Sequence, residues 1–145
     1  MGTRSNIIAF SPDTGLWRRI YCHWDGHPSH HGPILLSHYS TQPLVDALMA
    51  LGGLSCLGGS LGSKQNFNDP VENTCRAYHR DRGDDLDIKT SHSLQTLWPS
   101  RNSWIEFVYI WDGAKWSYGS LSTPLTHLRE LVTDWNVDID FKGDA

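Results

Sequence analysis

Residues 104–111 read Trp-Ile-Glu-Phe-Val-Tyr-Ile-Trp, a run dominated by aromatic and β-branched side chains that suits a pleated, half-buried strand. Asp112-Gly113 follows, and residues 115–118 resume the strand-like pattern. An Asp-Gly pair between two such runs supplies the positive backbone angles that a tight turn demands, so this segment is predicted to fold as a β-hairpin. Two strands are not stable alone in water, and the rest of the chain has to supply partners for them.

A further hairpin is predicted near the start. Residues 6–10 and 16–24 are strand-like and flank Ser11-Pro12-Asp13-Thr14-Gly15, whose Pro, Asp and Gly carry turn geometry. Gly32-Pro33 then opens Ile34-Leu35-Leu36-Ser37-His38-Tyr39 as a short helix, with proline in the first turn where its missing N–H costs nothing. Thr41-Gln42-Pro43 starts another helix, along which Leu44, Val45, Leu48, Met49 and Leu51 recur at helical spacing until Gly52-Gly53 ends it. Residues 54–73, rich in Gly, Ser, Asn and Asp, read as a long surface loop. Residues 75–79 read as a short strand, 80–85 as a turn of mixed charge, and 93–98 as a single helical turn before Pro99. Thr123 and Pro124 begin a last helix with Leu125, Leu128, Leu131, Val132 and Trp135 along one stripe, and the final ten residues are polar and expected to fray. The fold class is therefore α+β: an antiparallel sheet from two hairpins plus a short strand, with two or three helices packed on one face.

Composition sets the limits of what such a frame does. The 145 residues fit a single globular domain, 1–145, and a chain of this size buries roughly 70% of the surface its unfolded form exposes. A formal charge of −4 and a pI near 6.0 argue against extensive nucleic-acid binding, which needs a basic surface, though not against a local basic patch. Cys22, Cys56 and Cys75 are odd in number and widely spaced, which suits reduced thiols rather than a disulfide framework. No apolar run approaches the roughly 18 residues that span a bilayer, and no signal-peptide core follows Met1, so a soluble, cytoplasmic protein is expected.

Polar chemistry is densest in residues 21–33, Tyr-Cys-His-Trp-Asp-Gly-His-Pro-Ser-His-His-Gly-Pro, between a predicted strand and a predicted helix, where folds commonly place functional groups. His23, His27, His30, His31 and His38 with Asp25 offer ligands to zinc or a similar cation, although Gly26 and Pro28 keep His23 and His27 off one helical face. The same loop also reads as an anion site, with the Gly32 amide at a helix start and Arg4, Arg18, Arg19, Arg76, Arg80 and Arg82 at or near strand ends. Structural roles are the competing reading: His23 half-buried in a strand, His30 and His31 solvated, and the arginines paired with Asp81, Asp84 and Asp85. In Tyr78-His79-Arg80-Asp81-Arg82-Gly83, the charges either form an ion-pair network or place His79 and Asp81 for acid and base work. Trp24 and Tyr39 either stack a ligand ring or belong to the core. No nucleophile elbow, Walker loop or dinucleotide fingerprint is present.

Gly2-Thr3-Arg4-Ser5-Asn6, Tyr21-Cys22-His23-Trp24-Asp25-Gly26, Leu35-Leu36-Ser37-His38-Tyr39 and Tyr78-His79-Arg80-Asp81-Arg82-Gly83 together resemble a group of small bacteriophage and prophage accessory proteins. The resemblance implies a bacterial host cytoplasm and a counter-defence or other accessory role, and it implies binding rather than catalysis. The reading that follows is a non-catalytic protein holding an anionic small ligand, such as a nucleotide, with Arg4, His23, Asp25, His31, Arg80 and Arg82 as ligand-binding residues and no catalytic residues assigned. No cofactor is expected beyond a metal through the loop of residues 23–31. Two alternatives stand beside it: an inhibitor of a host enzyme or defence complex, and a small metal-dependent hydrolase. Pairing with a second copy to form a homo-oligomer is left open.

Overall fold

The computed structural model describes residues 2–132. Strand β1 (Ser5–Ser11) turns back into β2 (Leu16–Cys22), with Ser5 opposite Cys22 and Ser11 opposite Leu16. Helices α1 (Pro28–His38) and α2 (Gln42–Met49) follow, then β3 (Leu54–Cys56), β4 (Arg76–Ala77) and the short α3 (Tyr78–Arg82). Next come β5 (Lys89–Ser91), α4 (Leu94–Leu97), the hairpin β6 (Phe107–Trp111) and β7 (Trp116–Ser120), a 3-10 turn at Leu125–His127, and β8 (Arg129–Glu130). All the strands join one sheet in the order β4-β3-β2-β1-β6-β7-β8, and β5 pairs with the end of β2 that β3 leaves free. The protein is α+β with a mostly antiparallel sheet, and the two hairpins meet through a parallel ladder between β1 and β6.

Alternation along the strands divides the side chains between two faces. Ile7, Ala9, Ile20, Cys22, Tyr109 and Trp111 meet Leu35 of α1 and Val45, Leu48 and Met49 of α2 in the larger core. Ile8, Val108 and Ile110 point the other way and pack with Leu97 of α4 and Ile105. Each fully buried aliphatic contributes about 1.5–3 kcal/mol, and a one-residue slip of β1 on β2 would exchange the two faces, so burial fixes the register. Two helices therefore cover one face, while α4 covers only part of the other. Among the described residues, no helix is long and apolar enough to cross a membrane.

Several local expectations are corrected. Helix α1 begins at Pro28, not at Gly32-Pro33, because His27 is the N-cap and its Nδ1 accepts the Ser29 amide at 3.1 Å. Pro33 lies inside this helix, and the carbonyl it leaves unbonded belongs to exposed Ser29, where water can serve it. Gly32 is consequently buried mid-helix, and its amide presents no anion site. The predicted loop of residues 54–73 contributes β3 at its start, and the predicted strand of residues 75–79 is shorter, passing at Tyr78 into α3. Pro124 caps a 3-10 turn rather than an α-helix, and beyond it Leu128 packs on the smaller core while Leu131 packs on the larger, as an extended chain requires. Trp135 of the predicted stripe, and the frayed end, lie outside the described residues.

Candidate functional site

Helix α4 lies against β2 and β5, where Arg19 donates to the Leu97 carbonyl at 2.8 Å, and the candidate site gathers around the far end of β2, from Tyr21 onward. Ile20 and Cys22 point into the larger core, so Arg19, Tyr21 and the following His23 are directed to the opposite face. Tyr21 stands directly across from Asn6, and one step further Arg4 comes beside His23. The Tyr21 hydroxyl and His23 Nδ1 share a 2.6 Å hydrogen bond, and the Arg4 guanidinium bonds the same tyrosine. Burial lifts the Tyr21 hydroxyl above its ordinary pKa against the opposing pull of Arg4, while burial and then Arg4 lower the pKa of His23. His23 is thereby kept a neutral partner beside a permanent cation.

Three concavities meet at Tyr21. The first, about 610 Å³, is formed with Arg4, Ser103 and Trp104. A second, about 460 Å³, continues past Asn6, Arg19, Lys89 and Trp98. The third, about 980 Å³, runs beside Tyr78 and Arg82 and is lined by Asp84, Asp85 and Asp87. Each falls within or close to the ~300–1,000 Å³ typical of small-molecule sites. Beside the third concavity, Arg76 and Arg82 both lie over the Phe67 ring, 4.7 and 4.5 Å from its centre, and Arg82 is 4.9 Å from the centre of Tyr78. Arg76 also donates to the Ser55 hydroxyl at 3.1 and 2.8 Å, which fixes it to β3.

The charges differ between the two ends. Arg82 is bound to Asp84 at 2.6 Å, so the third concavity carries its own neutralising carboxylates. Among the described residues Arg4 forms no ion pair, and its concavity is lined by no carboxylate. The end at Arg4 is therefore the more receptive to an added anion.

Of the six site residues expected from the sequence, the structure brings Arg4 and His23 together and places Arg82 across the groove. The other three lie elsewhere. Arg80 is spent on internal bonds, to both carboxylate oxygens of Asp81 at 2.9 and 3.1 Å, to the Leu61 carbonyl at 2.6 Å and to the Cys75 carbonyl at 2.8 Å. Asp81 has a buried carboxylate that also accepts the Ala77 and Gln65 amides, and it holds the start of α3 rather than performing acid or base work. His31 is fully buried, sharing 3.1 Å hydrogen bonds with Ser5 Oγ and His30 Nδ1 beside the Tyr109 ring. Desolvation, helped by His30, depresses its pKa to about 3. Its serine partner is equally buried, so this Ser–His pair meets no substrate. Asp25 occupies an exposed left-handed turn at φ 57 between β2 and α1.

The histidine loop does not converge. His23 faces the groove, His27 caps α1 and His31 enters the core; among the described residues, no group of three or more His, Cys, Asp or Glu side chains is placed to hold a metal ion. Burial pushes the Cys22 and Cys75 thiols up, which leaves both protonated and inert. Tyr39 is a core residue whose hydroxyl donates to the Gly58 carbonyl at 2.7 Å, and Trp24, 39% exposed, stands edge-on to His23 with ring centres 4.6 Å apart.

No family model, curated protein or solved structure matches this chain.

Tyr21, Tyr78 and Trp104 line these concavities but were not among the six residues expected to bind, although Tyr21 and Tyr78 stood in segments already singled out. The alternation Arg19-Tyr21-His23 along one strand face was a usable signal for Tyr21. Nothing local announced Trp104, which reaches the groove through its loop.

Proposed function

We propose that this protein is a non-catalytic binding protein that holds an anionic small ligand of nucleotide type on the open sheet face around Tyr21. The observation that carries the reading is Arg4: a guanidinium without an ion-pair partner among the described residues, held beside Tyr21 and neutral His23 at a concavity with an aromatic wall. A planar guanidinium donating to phosphate or carboxylate oxygens is the strongest recognition element on this face. Arg82 meets a ligand only if that ligand extends along the groove, and it must then compete with Asp84. Arg80, His31 and Asp25 take no part. The resemblance to phage accessory proteins accords with sequestration of a small host metabolite or signal in a bacterial cytoplasm.

The test is calorimetric titration with adenosine 5′-monophosphate and with inorganic phosphate, on the wild type and on Arg4→Ala. Loss of one charge-assisted bond predicts at least about a tenfold weaker affinity for both in the variant, with an unchanged circular-dichroism spectrum. Equal affinities in the two proteins, or no binding of either anion to the wild type, refute the reading. A second reading, docking to a host protein, is favoured by Trp104, which is 77% exposed and of a residue type that often anchors interfaces.

A further inference from the structure

Trp104 has two properties that packing alone does not account for. It is 77% exposed, the highest value among the large hydrophobic residues in the described chain, and its backbone sits at φ 65, in the left-handed region that bulky residues avoid. A left-handed conformation costs a residue with a Cβ, and such strain persists only where the surroundings impose it. The neighbours do so here. Ser103 is tied back, its hydroxyl donating to the Ser100 carbonyl at 2.6 Å, and Ile105 on the other side is buried in the smaller core. One residue later the Glu106 amide bonds the Arg4 carbonyl at 2.9 Å, joining the loop to the segment that carries the guanidinium. The indole is thus presented, pre-positioned, at the wall of the concavity that it shares with Arg4 and Tyr21.

Resting on the anion-binding reading above, we propose that Trp104 is the stacking wall for a nucleobase, so that the ligand is a nucleoside phosphate whose phosphate meets Arg4 and whose base lies on the indole face. An apolar ring left exposed at a strained position, beside a tyrosine and a cation with no ion-pair partner among the described residues, suits a ligand that is anionic at one end and flat at the other. Stacking uses the π-face that every base has, so the four common bases gain alike, and the contact improves affinity without selecting sequence.

The experiment compares ribose 5-phosphate with the 5′-monophosphates of adenosine, guanosine, cytidine and uridine by calorimetry on the wild type, Trp104→Ala and Trp104→Gly. In the wild type each nucleotide binds about five- to hundred-fold more tightly than ribose 5-phosphate, the span of base–aromatic stacking. Both variants lose that increment while keeping the affinity for ribose 5-phosphate. Because glycine relieves the left-handed strain, Trp104→Gly also melts higher than Trp104→Ala, and the ribose 5-phosphate affinity kept by both shows that the lost increment does not come from unfolding. Equal binding of nucleotides and ribose 5-phosphate by the wild type overturns the proposal and leaves the anion reading standing, as does an increment that survives in both variants. Absence of binding by ribose 5-phosphate and by every nucleotide refutes both.

Discussion

His31 makes the stability of this protein sensitive to mild acid, and the size of the effect follows from its surroundings. The imidazole is fully buried between Ser5, His30 and Tyr109, and its pKa falls from 6.5 to about 3. A proton that the unfolded chain accepts below pH 6.5 is refused by the folded one, so stability decreases as pH falls through the window between 6.5 and about 3. The slope is about 1.4 kcal/mol per pH unit, which amounts to roughly 2 kcal/mol at pH 5. That is a large part of the ~5–15 kcal/mol by which a domain is stable, and for a chain of this length it lowers the melting temperature by roughly 4–8 °C. At pH 5 carboxylates such as Asp81 are still ionised in both states, which isolates the histidine contribution. The assay is urea denaturation at pH 7.5 and pH 5.0 for the wild type and His31→Gln. Glutamine exacts some constant cost but does not titrate, and His23 is present in both proteins, so its contribution cancels. The variant therefore loses about 2 kcal/mol less than the wild type between the two pH values. Parallel losses would refute the assignment of His31 as a buried neutral imidazole.

Two further substitutions test the frame around the groove. Asp81→Asn removes the charge that holds Arg80 Nε at 2.9 Å and the Ala77 amide at 2.8 Å, and leaves a largely buried guanidinium uncompensated. A loss of about 3–5 kcal/mol in urea denaturation is expected, and a loss below about 1 kcal/mol would show that the pair does not hold α3. Gly52 and Gly15 have nearly equal left-handed angles, φ 73 and φ 71, but a Cβ at Gly52 would stand 1.9 Å from the Leu86 carbonyl oxygen while one at Gly15 meets nothing within 4 Å. Gly15→Ala should therefore cost only the conformational penalty of about 1–2 kcal/mol, and Gly52→Ala several times more; thermal melting that ranks them equally would contradict the packing at the end of α2.

How far the sequence alone leads depends on whether an element carries its own signal. The β6–β7 hairpin announces itself through its aromatic run and Asp112-Gly113, and Gly113 does adopt a positive φ of 104. Helix α2 is equally plain, with N-cap Thr41, Pro43 in the first turn and Val45, Leu48 and Met49 buried. Strands β3, β4 and β5 have two or three residues each and exist because a neighbouring edge accepts them, which no short-range pattern records. Proline misled in both directions. Pro28, not Pro33, opens α1, and Pro124 does not open an α-helix. Leu125, Leu128, Leu131 and Val132 have the spacing of a helical stripe, yet tertiary partners on two faces of the sheet draw Leu128 and Leu131 apart.

The candidate site illustrates the same division. Density of histidine in residues 21–33 pointed to a site, but alternation in β2 and the start of α1 send those histidines to different environments. What assembles the groove is register: with Ser5 opposite Cys22, the residues one step outward, Arg4 and His23, are side by side, and the residues one step inward, Asn6 and Tyr21, form the floor. Cys22 in the core and His23 at the groove are therefore two outcomes of one alternation, and a shift that moved either would move both. The Trp104 loop joins this floor from the other side, through the parallel ladder that places β6 beside β1. Affinity and stability consequently separate by face. On the proposed reading, changes at Arg4 and Trp104 alter ligand affinity at little cost to folding, whereas changes at Cys22, His31 or Tyr109, in the core behind the groove, disturb the register on which it depends.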